Sequence, residues 1–481
     1  MGGGRGQNRT ADTRIFNPLL YRLSYSATRF QWRSPPKPAS LSESFTLRKQ
    51  EMQNRCSMIN YSTNSVHSYL MSNLSPPHSV PTASYDAAIV GCGVVGLVAA
   101  LVLATSGFKV LVVGTRPPQF LPNGKQRFDP RVFALSHRSQ RVLDRLRVWD
   151  NIPSEKVQPV TEMQVWGDSS GEDQGQLRFS ASDTGVDYLT WIIEQSCLFD
   201  ALFSAMRYQP GIDWLDAKVE GLSREKAGWA VVTNLKTIPV PLVIAADGAQ
   251  SQTRKQAGLD FVLDDYSAEG VVTTFAIEKP HHGAARQWFA GDSVLAMLPL
   301  PGPHVSMVWS MPLSQSQAFL QLKPAEMIER VKNVSGGAVQ EIYGNLVPVG
   351  DTYAFPLKHG VAPVWFDNGV VLMGDAAHVI HPLAGQGLNL GLEDAAELAN
   401  LLASRKRLLS VQRLGLADEQ LWRAWERRRK AACKPMHFLT DGLHTLFRLD
   451  LPGASWARNK GMQLVNQLPM LKRWLSQQAM R

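Results

Sequence analysis

The 481 residues predict an α/β fold: a parallel-sheet domain with an inserted antiparallel β-sheet and a helical C-terminus. Three observations predict it. A strand–glycine turn–helix–strand unit stands at Tyr85–Val113. Two later apolar runs, at Val243 and Val370, each end in an Asp-bearing glycine turn. Apolar and polar residues alternate along Val271–Ile277, Val294–Leu300 and His304–Met311, and a period of two belongs to antiparallel strands.

Composition sets the bounds. At 44% apolar and 19% charged residues the chain has ample material for a core, and its length suggests two or three domains. Cys56, Cys92, Cys197 and Cys433 are scattered with no CxxC spacing. That excludes a disulfide scaffold, gives no cysteine-based metal site and fits a reducing compartment. The net charge of +9 is mostly local. Residues 1–83 hold ten Lys or Arg and three acids, leaving 40 basic and 38 acidic residues for the rest. A nucleic-acid partner, which needs a basic stripe on a folded face, is therefore not expected.

Residues 1–83 are rich in Ser, Asn, Arg and Pro, with no sustained apolar period. The segment is Arg-rich, Ser-rich and acid-poor like a mitochondrial transit peptide. The run Gly6–Arg29 also resembles the peptide obtained when tRNA-gene DNA is translated, with Met52, Met58 and Met71 as later starts. The stretch is thus expected to be a disordered tail, either an upstream mis-start or a targeting segment.

No charge occurs from Ala87 to Phe108, a length sufficient to span a bilayer. The internal pattern instead gives a strand (YDAAIV), the turn Gly91-Cys92-Gly93-Val94-Val95-Gly96, a helix (LVAALVLATS), a stop at Gly107 and a strand (KVLVV). This is a Rossmann-like βαβ unit, and buried parallel strands read as unbroken apolar runs. Gly91 permits the tight turn, Gly93 lets backbone approach a pyrophosphate, and Gly96 lets helix and strand pack closely. The helix N-terminus offers free N–H groups and a positive dipole end to phosphates. The acidic residue expected at the second strand's end is replaced by Gly114, so backbone, water, Thr115 or Arg116 would have to hold the ribose.

The segment VIAADGAQSQTR runs a strand into Asp247-Gly248, a turn that suits the underside of a cofactor and equally an ordinary Asp-Gly turn. The segment GVVLMGDAAHVIHPLAGQGLNLG carries more information. A buried strand, Val370–Met373, ends in Gly374-Asp375, and the loop bears His378, His381, Pro382, Gly385, Gln386, Gly387 and Asn389. A helix is expected from about Leu388 to Leu402. Asp375 is placed to accept hydrogen bonds from a ribityl or ribose chain. The loop and helix start direct N–H donors at whatever lies above. For an isoalloxazine ring that would be N1 and the C2 carbonyl, where negative charge collects on reduction. His378 and His381 are read first as structural imidazoles bonded to backbone, and second as proton carriers.

In this order, GCGVVG, the DG segment and GDAAHVIHPLAGQGLNLG resemble the ubiquinone-biosynthesis hydroxylase (UbiH/UbiF-like) family of FAD-dependent aromatic monooxygenases. DPRVFALS at Asp129–Ser136, WFAGDSVLAMLPL at Trp288–Leu300, VWS at Val308–Ser310, WERRRK at Trp425–Lys430 and TDGLHTLF at Thr440–Phe447 extend the resemblance over 84–481. It implies a Rossmann-like FAD-binding domain formed by 84–162, 188–260 and 350–415. It implies an inserted antiparallel substrate domain formed by 163–187 and 261–349, and a helical region at 416–481.

The resemblance also implies non-covalent FAD, with NADH or NADPH as co-substrate. Gly91, Gly93 and Gly96 would lie at the pyrophosphate, and Arg131 and Gln195 against the cofactor. Asp247 and Gly248 would serve cofactor and reductant handling. Gly374 and Asp375 would lie at the ribityl chain, and Pro382, Gly385, Gly387, Leu388 and Asn389 at the pyrimidine edge. The implied reaction is hydroxylation of the aromatic ring of a ubiquinone precursor, polyprenylated or not, with O2, through a flavin C4a-hydroperoxide. No acid–base side chain is required, so no catalytic residue is assigned. The alternatives are a flavin hydroxylase of a soluble phenol or aromatic acid, and a non-catalytic subunit among other quinone-synthesis proteins.

Two further expectations concern surroundings. Trp288, Phe289, Met297, Trp309 and Met311 are candidates for an apolar pocket, against the plainer reading as core. The basic run Trp422–Lys430 is a candidate for peripheral contact with anionic lipid, against the plainer reading as a solvated helix face. The expected location is the cytoplasm, at most peripheral on an inner membrane, or the mitochondrial matrix side if the N-terminal segment is a transit peptide.

Overall fold

The computed structural model describes residues 85–117, 128–168, 175–226, 228–380, 386–408, 416, 418–448 and 459–460. The chain divides into two units, Met1–Pro81 and Thr82–Arg481, and every described residue belongs to the second. The tail reading of 1–83 lies outside the described residues.

The first sheet has six strands in the order Phe366–Asp367, Val370–Leu372, Val243–Ala245, Ala87–Val90, Val110–Val113 and Ile212–Leu215. All neighbours are parallel except the first pair. The four central strands are buried at every position, which is why their sequences are unbroken Val, Ile, Leu and Ala. Helix Val94–Thr105 is apolar on all sides because it packs against the strands and also touches helices Gln195–Tyr208 and Gln386–Leu408. The uncharged stretch from Ala87 is therefore a strand and a core helix. Among the described residues no helix is long and apolar enough to cross a membrane.

Strand order has a direct consequence for the motifs. Val243–Ala245 lies between Ala87–Val90 and Val370–Leu372, all parallel. Their C-terminal ends, carrying Gly91, Asp247 and Gly374, emerge side by side. In open α/β sheets, ligands bind in the crevice beyond these ends.

The second sheet is built differently. His378–Val379, Tyr353–Val361, Asp264–Ile277, His304–Pro312, Ser293–Leu300, Ala284–Ala290, Glu162–Trp166 and Gln176–Ser180 neighbour one another in that order, and Leu346–Pro348 pairs with Asp264–Ile277. All pairs are antiparallel except Ala284–Ala290 with Glu162–Trp166. Its inner face packs Phe275, Trp288, Met297 and Trp309 against helices Leu313–Leu320, Pro324–Val334 and Ala338–Tyr343. Trp288, Met297, Trp309 and Met311 are thus core residues, and Trp288 stacks on Trp166 at 4.7 Å. Phe289 is buried in a small separate cluster with Val165, Leu177 and Val294.

The C-terminal helix runs Glu419–Arg448 with Pro435 inside it. Its basic run has a structural explanation. Trp422 and Trp425 are fully buried, and Trp425 donates through Nε1 to the Asp394 carbonyl at 2.9 Å. Arg423, Arg428 and Lys430 pair with Glu419, Glu397 and Glu426, and Arg429 is buried. The aromatic residues of this run are core, and Arg423 and Arg428 lie exposed on the helix surface.

Candidate active site

A cavity of about 670 Å³ opens beyond the C-terminal ends of the parallel strands. Gly93, Val94 and Val95 line it from the first turn, Ala246 and Gly248 from the second, and Met373 and Asp375 from the third. Arg131 and Gln195 join them, with Gly387 and Leu388 at the start of helix Gln386–Leu408. Phe355, Leu357 and Lys358, from the second sheet, complete a wall. Sequence motifs more than 290 residues apart at their extremes (Gly93 and Gly387) therefore share one space.

The glycines fall into two sets. Gly91 has φ +116°, and a Cβ there would stand 2.3 Å from the Ala246 carbonyl oxygen. At Gly96 it would stand 2.1 Å from the Gly91 carbonyl oxygen. Both glycines are dictated by the protein itself. Gly93 is the opposite case. Its φ is −89°, which any residue adopts, and a Cβ would meet nothing within 4 Å. The fold leaves room there for a side chain that the sequence withholds, which fits a cradle for a bound group. Gly248 has φ +85° and opens onto the same cavity.

Arg131 and Gln195 are held together by a cap. Asp129 accepts from the Arg131 and Ser196 N–H groups at 2.9 Å each, and the Gln195 N–H donates to the Arg131 carbonyl at 2.9 Å. Glu194, itself paired with Lys156, accepts from the Asp129 N–H at 2.7 Å. The Arg131 guanidinium lies over the Phe355 ring at 4.4 Å. Arg254 joins the second and third turns by donating to the Ala249 and Ala376 carbonyls.

Among the described residues, five predicted site residues do not line the cavity: Gly91, Gly96, Asp247, Gly374 and Asn389. The Asp247 carboxylate accepts from Ser251 Oγ, Thr253 N–H and Thr253 Oγ1, so it organises the start of helix Gln252–Gln256. Asn389 is buried. Its Oδ1 accepts from Ser136 N–H and Ser139 Oγ, while its Nδ2 donates to the Ala134 carbonyl. It clamps the DPRVFALS segment to helix Gln386–Leu408. Gly374, with φ +58°, is buried beneath the third turn. Pro382, Gly385 and His381 lie outside the described residues. Arg116, a candidate for the ribose, is paired with Asp200 at 2.9 Å and lies over Phe203 at 4.6 Å.

Two carboxylates near the third turn are in opposite states. Asp375 lines the cavity and its side chain is exposed to that space. The protein packed around the turn desolvates its carboxyl and raises it above the ordinary value, against the pull of His378 and Arg131. No donor of the described residues hydrogen-bonds to it. Asp394 is fully buried, and burial alone would raise it. His378, Arg429 and the Gly374 N–H outweigh burial and hold it below the ordinary range. His378, at 0% exposure, bonds through Nε2 to the Asp394 carboxylate at 2.8 Å and lies beside Trp365. It is structural, with a carboxylate partner and not the backbone partner the sequence suggested.

Sequence reading missed Phe355, Lys358, Asp394 and Arg429. Arg429 lies inside the WERRRK run and Asp394 in the helix that the third motif opens, but nothing in either segment pairs the two. Only their burial, 0% and 3%, marks them.

The residues fit FAD. Gly93 leaves room for a bound group against the cavity, Asp375 has no donor among the described residues, and two helix N-termini end at the cavity wall. The comparisons agree. A model of the FAD binding domain matches residues 84–436. Ubiquinone hydroxylase UbiL of Rhodospirillum rubrum is 32% identical over 400 residues, covering 82% of this chain and 89% of that one. The 3-demethoxyubiquinol 3-hydroxylase of Escherichia coli is 28% identical, covering 81% and 96%. The mitochondrial ubiquinone biosynthesis monooxygenase COQ6 of Drosophila melanogaster is 28% identical, covering 84% and 91%. Among solved structures, pqsL of Pseudomonas aeruginosa superposes with TM-score 0.64 at 19% identity, covering 79% of this chain and 99% of that one. The chain therefore belongs to the ubiquinone-biosynthesis hydroxylase (UbiH/UbiF-like) family of FAD-dependent aromatic monooxygenases.

Proposed function

We propose that the protein hydroxylates the aromatic ring of a ubiquinone precursor, with NADH or NADPH and O2 as co-substrates. The observation that carries this is the single cavity in which the glycine turns, Asp375 and an apolar wall from the second sheet meet. The similarity to relatives named as ubiquinone hydroxylases supplies the substrate class.

In this reading Gly93 and the first N–H groups of helix Val94–Thr105 hold the FAD pyrophosphate. Gly91 and Gly96 shape that turn. Asp375 accepts from the ribityl chain, and Gly374 sets its position. Gly387 and Leu388 present N–H donors to the pyrimidine edge. Arg131, Gln195 and Gly248 complete the surround, with Asp247 and Asn389 holding the turns from behind. Residues 84–162, 188–260 and 350–415 act as the cofactor domain and 163–187 with 261–349 as the substrate domain, except that Tyr353–Val361 and His378–Val379 belong by pairing to the antiparallel sheet, so the expected boundary at 350 falls too early. Bound FAD supplies two-electron reduction by the nicotinamide and activation of O2. The chain's own task is to exclude water with Phe355 and Leu357 and to fix the ring's distance from the flavin.

The test is oxygen-dependent NAD(P)H oxidation by the purified yellow protein. A prenylated phenol should yield a product one oxygen atom heavier, and a deletion strain should accumulate the unhydroxylated intermediate. An unchanged quinone-intermediate profile would overturn the substrate assignment. One observation favours a second reading. Lys358 lines the cavity and has no acidic partner within salt-bridge distance among the described residues, which suits a soluble aromatic acid. Turnover of 4-hydroxybenzoate in place of the prenylated phenol would establish that reading.

A further inference from the structure

The third turn is anchored to the C-terminal helix through one buried carboxylate. Asp394 Oδ2 accepts from the Gly374 N–H at 2.9 Å and bonds His378 Nε2 at 2.8 Å. Its Oδ1 accepts from Arg429 Nε at 2.7 Å. Arg429 comes from helix Glu419–Arg448, 35 residues further along. Its other nitrogens are also engaged: NH1 with Glu393 at 3.1 Å, and NH2 with the Leu390 carbonyl at 3.0 Å and Cys433 Sγ at 3.5 Å. His378 follows Asp375 by three residues and is held from the same oxygen as Gly374.

Asp375 is thus bracketed. The residue before it and the imidazole three residues after it are both fixed by Asp394, and Asp394 is fixed by Arg429. Gly374 has φ +58° and is stacked under Val95, so the backbone reaches the cavity through a constrained turn. A buried carboxylate is retained in such a place only while its partners satisfy it. Removing the guanidinium leaves the buried carboxylate with only His378 and the Gly374 N–H to satisfy it, and the bracket relaxes.

We propose that Arg429 is a positioning residue for the cofactor, acting through Asp394 to hold the Gly374-Asp375 turn in the geometry that accepts FAD. The C-terminal helix then acts as part of the cofactor site without touching the cavity. Burial of Arg429 and Asp394 excludes a role as a surface ion pair, since exposed pairs contribute little. The inference rests on the reading that Asp375 faces the ribityl chain.

The experiment is a double-mutant cycle on FAD affinity, read by quenching of flavin fluorescence as apoprotein is titrated. The variants are Arg429→Met, Asp394→Asn and the pair, with melting temperature recorded for each apoprotein. Arg429→Met is expected to weaken FAD binding at least tenfold. The double variant should be no weaker than Asp394→Asn alone. Arg428→Ala, which removes only the exposed pair with Glu397, should bind FAD like the parent. Additive losses, or an Arg429→Met protein with parental affinity, would overturn the proposal. If Arg429→Met does not fold, Arg429→Lys decides. It keeps the charge but not the fork, and is expected to fold and bind FAD several-fold more weakly. Parental affinity in that variant also overturns the proposal. Asp375→Ala serves as the independent check on the underlying reading. Parental FAD affinity there removes the site assignment itself, whereas a weakened Asp375→Ala beside an additive cycle removes only the coupling.

Discussion

The two sheets solve different problems, and the difference shows in how they meet the cavity. The parallel sheet has central strands of three or four residues, buried on both faces, and contributes almost nothing through strand side chains. Its share of the site comes from the turns at the strand ends, through Gly93, Gly248 and Asp375. The antiparallel sheet has strands of up to 14 residues and contributes through side chains, with Phe355, Leu357 and Lys358 on the cavity and Trp309 and Met297 in a core behind. A turn that must admit a phosphate leaves little choice of residue. A wall that must be apolar leaves much.

This contrast explains what could be read from the chain. The turn glycines are legible because backbone geometry dictates them: Gly91 and Gly96 have carbonyl oxygens where a Cβ would stand. The strands are legible from continuous or alternating apolar residues. Alternation, however, fixes only that one face is buried, not which face meets a ligand, so Trp288 and Trp309 stand as pocket candidates beside the plainer reading as core, and they are core. Asp247 illustrates a second limit. A carboxylate after a strand suits a ligand and a helix start alike, and here it braces Ser251, the N-cap, and Thr253 at the start of helix Gln252–Gln256. Asp394 and Arg429 illustrate a third, because a buried ion pair between distant helices leaves no local pattern.

The largest expected effects separate fold from function. Gly91→Ala should lose roughly 3–5 kcal/mol through strain at positive φ and overlap with Ala246, a large share of a typical domain's stability of about 5–15 kcal/mol. Its thermal melt should be lost or far lower whether FAD is present or not. A parental melt would show that the turn tolerates a side chain and that its glycine answers to the ligand.

In the second region, Trp309→Ala should cost a comparable ~3–5 kcal/mol by opening a core cavity. The folded fraction should still bind FAD with parental affinity. A selective loss of FAD binding at unchanged melting temperature would place Trp309 in the site after all.

Asn389→Ala should have an intermediate effect, about 1–3 kcal/mol, because it strands the buried Ser136 N–H and Ala134 carbonyl. Denaturant unfolding measures it. No change in the midpoint would mean that the clamp between DPRVFALS and helix Gln386–Leu408 contributes nothing to stability.

The smallest effect is one of pH. The carboxyl of Asp375 is raised above 3.8 in the folded protein, so the unfolded chain gives up this proton first. Stability contributed by the protonated form is therefore lost as pH rises from about that value through the folded one. Apoprotein carrying Asp375→Asn should melt higher than the parent at neutral pH, with the gap closing as pH approaches 3.8. A gap that widens in acid would mean that the native carboxylate is stabilised, not destabilised, by its surroundings.

Gly93 is where the two kinds of constraint part most cleanly, and titrating Gly93→Val apoprotein with FAD is the most direct measurement. The protein should stay folded and melt within about 4 °C of the parent, since a Cβ at Gly93 meets nothing within 4 Å and the cost is that of replacing glycine at a helix N-cap, about 1 kcal/mol. Its FAD affinity should fall at least tenfold, about 1.4 kcal/mol. A Gly93→Val protein that folds and binds FAD as tightly as the parent would contradict the placement of the cofactor in this cavity.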